Sequence, residues 1–229
     1  IVGQVIGSIN LSLSGTPPAL AVGSRPLQAE EDLTAAAYFV PSILAMALMQ
    51  LGVFAAIPLA AQREKLILKR LGATPLRRWA LVGSNIVMRL LIAAVQAAII
   101  IGIGMVLFDV QVIGSLLLVA GLVALGALTF TAIGYVIASY ARTEESANAL
   151  TSVVQFPLMF LSGIFFPIDF MPEFLRPVAA IMPLTYLGDA LRQVMVGGTP
   201  YVALGIDVAV LAVWLVVSFA ISARFFRWQ

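Results

Sequence analysis

The chain has 229 residues, 62% of them hydrophobic and only 10% charged, with a mean hydropathy of +1.06. A soluble domain carries roughly 25% charged residues, so this composition is that of an all-α integral membrane protein. Cys and His are both absent, which excludes disulfides, Cys or His metal sites and a Ser-His intramembrane protease. A net charge of +2 is no footprint of a nucleic-acid partner.

Residues 1–14 are apolar but too short to span. They read as the tail of an earlier span or as a segment on the membrane surface. Together with a Gly/Pro/Ser-containing loop that ends in Glu30, Glu31 and Asp32, they make an expected outer segment over residues 1–36. The chain starts at Ile1 rather than Met, which raises the expectation of an upstream span and six spans in the intact protein. Five apolar runs follow, at about 38–60, 80–107, 112–139, 147–166 and 203–223. Each is near the length of about 20 residues that crosses a bilayer as a helix.

Charge orients these spans, because cytoplasmic loops carry excess Lys and Arg. Between Gln62 and Trp79 lie Arg63, Lys65, Lys69, Arg70, Arg77 and Arg78, six of the chain's 13 basic residues. Residues 62–78 are therefore expected in the cytoplasm, and alternation puts Arg142, Arg224 and Arg227 there too. The outer side receives Arg25, Arg176 and Arg192, with Glu30, Glu31, Asp32, Asp109, Asp169, Glu173 and Asp189.

The basic stretch has its own grammar. Residues 62–71 contain no helix breaker, Gly72 is a good stop, and Thr74-Pro75 reads as an N-cap and first helical residue. A short amphipathic helix along the cytoplasmic surface is expected. One reading is an orientation signal that touches anionic lipid. The other is a docking helix for a cytosolic protein, favoured by Glu64 among the bases and by the defined helix length.

A second unusual stretch runs from Phe165 to Val194, with Pro167, Pro172, Pro177 and Pro183 about every five residues. Proline breaks helices, so no continuous span is expected there. The segment is nevertheless apolar, and irregular backbone at membrane depth is tolerated only where protein or a cavity surrounds it. Residues 165–196 are thus expected to form a broken re-entrant hairpin on the outer face, followed by an amphipathic outer helix from about Leu184 to Val196.

With these two stretches the chain resembles the membrane subunit (permease) of ABC type-2 exporters. "REKLILKRLGATPLRR" resembles the cytoplasmic coupling helix of that family, with Arg63-Glu64 at its start and the Ala73-Thr74-Pro75 restart. Where the family often has Gly-Thr after the acidic residue, Leu66-Ile67 stand here. "LSGIFFPIDFMPEFLRPVAAIMPLTYLGDALRQV" resembles the signature before the last span, with Ser162-Gly163, Phe166-Pro167, Pro172, Pro183-Leu184-Thr185-Tyr186, Asp189 and Arg192. The resemblance covers residues 38–223. It implies a six-span permease fold whose first span is missing or incomplete here. It also implies a dimer of permeases, identical or related, in membrane lipid, each bound to a cytosolic ATPase subunit.

No GxxxxGK[ST] phosphate loop exists in the chain. ATP and Mg are therefore expected on the partner, and no cofactor on this chain. The ATPase-coupling residues implied by the resemblance are Arg63, Glu64, Lys65, Lys69 and Arg70, with Arg142, Glu144 and Glu145 as a smaller second contact. The outer gate would comprise Phe165, Phe166, Pro167, Pro172, Pro183 and Tyr186. Phe39, Met46, Met49, Phe54, Phe156, Met159 and Phe160 are candidates for a substrate cavity, because the corresponding spans flank the path in the family.

Arg89 is a further cavity candidate. It shares a helix face with Asn85 and Gln96, at spacings of four and seven, and stands about 15 Å into its span. A charge there needs an interhelical hydrogen-bond network, a substrate, or a snorkelling path to the interface. In the third span the small residues Ala120/Ala124, Ala127/Thr131 and Gly134/Ala138 suggest tight helix packing.

The expected function is outward, ATP-driven movement of a hydrophobic or amphipathic substrate such as a drug, lipid or antibiotic peptide. Export of a surface polysaccharide, or a non-transporting ABC complex, are alternatives. A proton-coupled carrier would need carboxylates deep in the membrane; only Asp207 lies inside an expected span, near its outer end.

Overall fold

The computed structural model describes residues 35–66, 78–108, 110, 112–165, 168 and 171–225. The expected outer segment 1–36 falls almost wholly outside them. The described elements are α1 (Ala35–Val53), α2 (Ala56–Glu64), α3 (Arg78–Phe108), α4 (Leu116–Tyr140), α5 (Glu144–Leu161), α6 (Arg176–Ala179), α7 (Pro183–Val196) and α8 (Leu204–Phe225), with no strand among the described residues. Among the described residues, four stretches are long and apolar enough to cross a membrane: Ala37–Glu64, Gly83–Phe108, Leu116–Tyr140 and Leu204–Phe225. α5, expected as the fourth of five spans, is not among them. It opens on Glu144, Glu145, Ser146 and Asn148, which dilute its 18 residues.

The first span is two helices rather than one. Pro58 has no N–H to offer the Phe54 carbonyl, and its ring crowds that carbonyl. Phe54 O instead accepts from Ile57 N at 3.3 Å, and Ala55 N turns to Gly52 O at 3.0 Å. The helical ladder breaks into a turn at Phe54–Ala55, between α1 and α2, and the proline is an identifiable cause of such a kink.

α4 lies at the centre, packed on α1 and α8. A Cβ on Gly52 would fall 2.4 Å from Phe130 Cβ, and one on Gly134 would fall 2.4 Å from Gly52 O. Only hydrogen at those two positions lets the helices meet so closely. Ala127, Thr131, Gly134 and Ala138 are buried as their spacing predicts, whereas Ala120 is exposed and Ala124 half-buried. α4 starts at Leu116, not 112. Ile113 N–H donates to Met195 O at 2.9 Å, so the preceding residues are held to the end of α7 instead of continuing the helix.

α5 begins with a capping box. Thr143 Oγ1 accepts from Ser146 N at 3.1 Å, and Ser146 Oγ accepts from Thr143 N at 3.0 Å. It ends at Ser162, followed by Gly163 at φ 75°, a left-handed conformation that suits glycine. Beyond it, the described part of the proline-rich stretch up to Met182 is made of turns, bends and the four-residue α6, and its remainder is α7.

α7 covers the expected amphipathic helix, and every residue from Pro183 to Val196 is buried inside the protein except Gln193. It packs between α1 and α8. Its polar groups are paired inside the protein, which removes the cost of burying them.

Candidate functional site

The end of the molecule read as cytoplasmic is built around the tip of α2. Glu64 Oε2 accepts from the Glu144 backbone N–H at 2.8 Å, so a carboxylate from the first span caps the first turn of α5. A helix N-terminus presents free N–H groups and partial positive charge, and a carboxylate suits both. Lys65 Nζ stands 3.9 Å from Glu144 Oε2 with both side chains largely exposed, a contact of little energetic weight. Beneath them Ala60, Ala141 and Ala147 are fully packed, with Ile57 against them.

Two grooves flank this tip. One, of about 610 Å³, is lined by Ile57, Glu64, Lys65, Glu144, Glu145 and Asn148. The other, of about 680 Å³, is lined by Arg63, Glu64, Leu66, Ser139, Tyr140, Arg142 and Phe225. Thus Arg63, Glu64, Lys65, Arg142, Glu144 and Glu145, distant in sequence, share one surface, with an acidic side and a basic side. Lys69 and Arg70 lie outside the described residues.

The expected single helix over 62–71 does not run through its first residues. α2 ends at Glu64, Lys65 N bonds Ala61 O and Leu66 N bonds Arg63 O, both at 3.0 Å. Leu66 has φ 54°, a left-handed conformation costly for a residue with a Cβ.

At the proline-rich end, Pro183 and Tyr186 are buried in α7, while Pro172 is exposed and Phe165 half-buried. The Tyr186 hydroxyl donates to Ala180 O, and Thr185 Oγ1 donates to Ala179 O at 2.7 Å, which ties α7 back onto α6. Phe166 and Pro167 lie outside the described residues.

The cavity candidates do not converge. Met49 is fully buried in the core, Met46 and Met159 are half-buried, and Phe39 is exposed. Phe156, Phe160 and Phe165 form a row, with ring centroids 6.5 Å and 5.8 Å apart, and the first two face outward. Phe54 alone of the group lines a groove of about 700 Å³ between α1 and α3, with Gln50, Leu51, Leu91, Ile92, Val95 and Gln96 among its walls. That groove is apolar except for two amides.

Arg89 sits one turn below Ile92 and reaches across to α1. Its Nη1 donates to Leu51 O at 2.8 Å, and it hydrogen-bonds the Tyr135 side chain of α4. The structure therefore gives Arg89 interhelical partners.

A further polar cluster was not assembled from the sequence. Asp189 accepts from Tyr201 N at 3.0 Å, Val202 N at 3.2 Å and Gln193 Nε2 at 2.9 Å. Gln193 Nε2 also reaches Asp207 Oδ2 at 2.9 Å. Arg192 Nη1 donates to Ser42 Oγ at 3.2 Å, and its guanidinium lies 4.9 Å from the Tyr38 ring centre. The Tyr38 hydroxyl donates to Gly163 O at 2.6 Å. Helical spacing of four pairs Asp189 with Gln193 and Tyr38 with Ser42, a signal visible in the sequence.

Comparison with known proteins agrees with this architecture. Residues 3–224 match the family model described as ABC-2 family transporter protein. The chain is 29% identical over 159 residues to the probable multidrug ABC transporter permease YbhR of Escherichia coli K12, covering 69% of this chain and 43% of that protein. It is 30% identical over 113 residues to nodulation protein J of Rhizobium leguminosarum bv. viciae, covering 49% of this chain and 43% of that protein. A third relative, ABC transporter G family member 20 of Dictyostelium discoideum, is 29% identical over 151 residues, covering 65% of this chain and 21% of that protein. The chain spans less than half the length of these relatives. An all-helical, multi-pass chain whose sequence matches this model from one end almost to the other belongs to the ABC-2 transporter family.

Proposed function

We propose that the chain is the membrane-spanning permease of an exporter driven by a separate cytosolic ATPase, and that it moves a hydrophobic or amphipathic substrate outward. Membership of the ABC-2 family supports the permease role. The observation that carries the coupling is the capped joint between α2 and α5, where Glu64 holds the Glu144 N–H. A force applied by a partner to this surface reaches the end of the first span and the start of α5 at once. The two grooves, with an acidic and a basic side, fit a folded protein of mixed surface charge better than a uniformly anionic lipid surface.

The apolar groove beside Phe54 supports the substrate class, because its two amides provide few hydrogen bonds in an otherwise greasy wall. The described residues between Phe165 and Ile181, with Phe174 and Ile181 exposed, form the outer lid. Co-purification tests the reading. The full-length protein retains an ATPase subunit, and Glu64→Ala inserts normally yet loses coupling between hydrolysis and transport. Unchanged partner binding and unchanged transport in Glu64→Ala and Lys69→Glu alike would overturn the docking role.

A further inference from the structure

The kink at Phe54–Ala55 leaves a backbone group to be accounted for. In an uninterrupted helix the Leu51 carbonyl would accept from Ala55 N–H. That N–H is turned to Gly52 O. A carbonyl released inside a membrane span is costly to leave unmade, and Arg89 Nη1 meets it at 2.8 Å from the neighbouring span. The same guanidinium hydrogen-bonds Tyr135 on α4. The kink also lies against Gly134, which has no Cβ to push it away. So the kink is held by a cation from one span and seated against bare backbone of another. Below it, α2 carries Glu64 to the start of α5.

We infer that the Phe54–Ala55 kink is a hinge between the cytoplasmic and membrane parts of the first span, and that Arg89 is its positioning residue, holding the hinge bent by taking the Leu51 carbonyl. Pro58 creates the hinge, Gly134 is its fulcrum, and α2 with the capped start of α5 is the lever. This rests on the permease reading for its purpose, since the lever ends at the surface proposed to meet the ATPase. It assigns Arg89 to the moving joint rather than to the substrate.

The expected coupling between residues 58 and 89 is specific. Pro58→Ala restores an N–H for Phe54 O and removes the ring that forces the kink, so the helix can close and Ala55 N–H can return to Leu51 O. Arg89 then has less to do. Arg89→Ala is expected to lower the melting temperature of the detergent-solubilised protein by roughly 2–10 °C. In the Pro58→Ala background the same change is expected to cost less than half as much, and Arg89→Lys retains part of the stability in the parent. Additive losses in the double variant would refute the bond's link to the kink.

Motion is read separately in the complex with the ATPase. The chain has no native Cys, so Ile43→Cys and Gln62→Cys, with a Cys-free ATPase subunit and labelled chain diluted with unlabelled, place one spin label on either side of the hinge. Their distance is expected to change between the nucleotide-free and nucleotide-trapped states, and to stay constant when Pro58→Ala is added. If the complex assembles and hydrolyses ATP while the parent distance never changes, the hinge is refuted and the permease reading stands. If no ATPase co-purifies, the permease reading falls, while the melting cycle still decides the role of Arg89.

Discussion

Asp189→Ala is the most direct test of the buried architecture around α7. The side chain is 1% exposed. It accepts from the Tyr201 and Val202 N–H groups, which lead into α8, and from Gln193 Nε2. Truncation leaves two backbone donors and one amide donor without that partner. An unsatisfied buried donor costs about 1–3 kcal/mol, and loss of one partner from a buried charged cluster about 3–5 kcal/mol in all. At about 2–4 °C per kcal/mol for a chain of this size, the melting temperature should fall by roughly 6–20 °C. Asp189→Asn keeps one oxygen acceptor and should lose about half of that or less. Differential scanning fluorimetry in mild detergent reads the shift. A melting temperature within about 1 °C of the parent for Asp189→Ala would mean that the carboxylate faces water, and the packing of α7 between α1 and α8 would be wrong.

Three further outcomes are expected. Leu66→Gly removes the left-handed strain of about 1–2 kcal/mol, partly offset by the greater chain entropy of glycine, so the melting temperature should rise by about 1–3 °C; a fall would refute strain at φ 54°. Gly52→Ala places a Cβ 2.4 Å from Phe130 Cβ, so α1 and α4 must separate at a cost of about 1–3 kcal/mol, and an unchanged melt would contradict the close crossing. Glu64→Ala should speed hydrogen exchange at the Glu144 amide several-fold, because its acceptor is gone, with protection elsewhere in α5 unaltered. Equal exchange in the two proteins would remove the joint between α2 and α5.

Long apolar runs and the clustering of Arg and Lys made most of the spans legible, because both are properties of composition. The cytoplasmic surface was legible in part, since Glu64 among bases and Glu144-Glu145 after a span are local signals; that one caps the other depends on tertiary folding. Pro58 stood in plain view, but the apolar run on both sides read as one continuous span. The burial of α7 was hidden for a different reason. Asp189 and Arg192 read as charges of the outer side, and their partners are backbone N–H groups of Tyr201 and Val202 or a side chain 150 residues away, Ser42. A sequence displays polar groups but not what satisfies them. The aromatic and Met candidates failed to gather for a similar reason. Met49 faces the core and Phe156 faces outward, and apolar residues in a membrane helix look alike on both faces.

Transport in inside-out vesicles tests the central claim most directly. The full-length protein, reconstituted with its ATPase subunit, is assayed against a panel of lipids, hydrophobic drugs and amphipathic peptides. At least one compound should accumulate only when ATP is hydrolysed and both subunits are present, and Glu64→Ala should abolish accumulation while the complex remains assembled. Accumulation that follows a proton gradient without the ATPase would contradict the account.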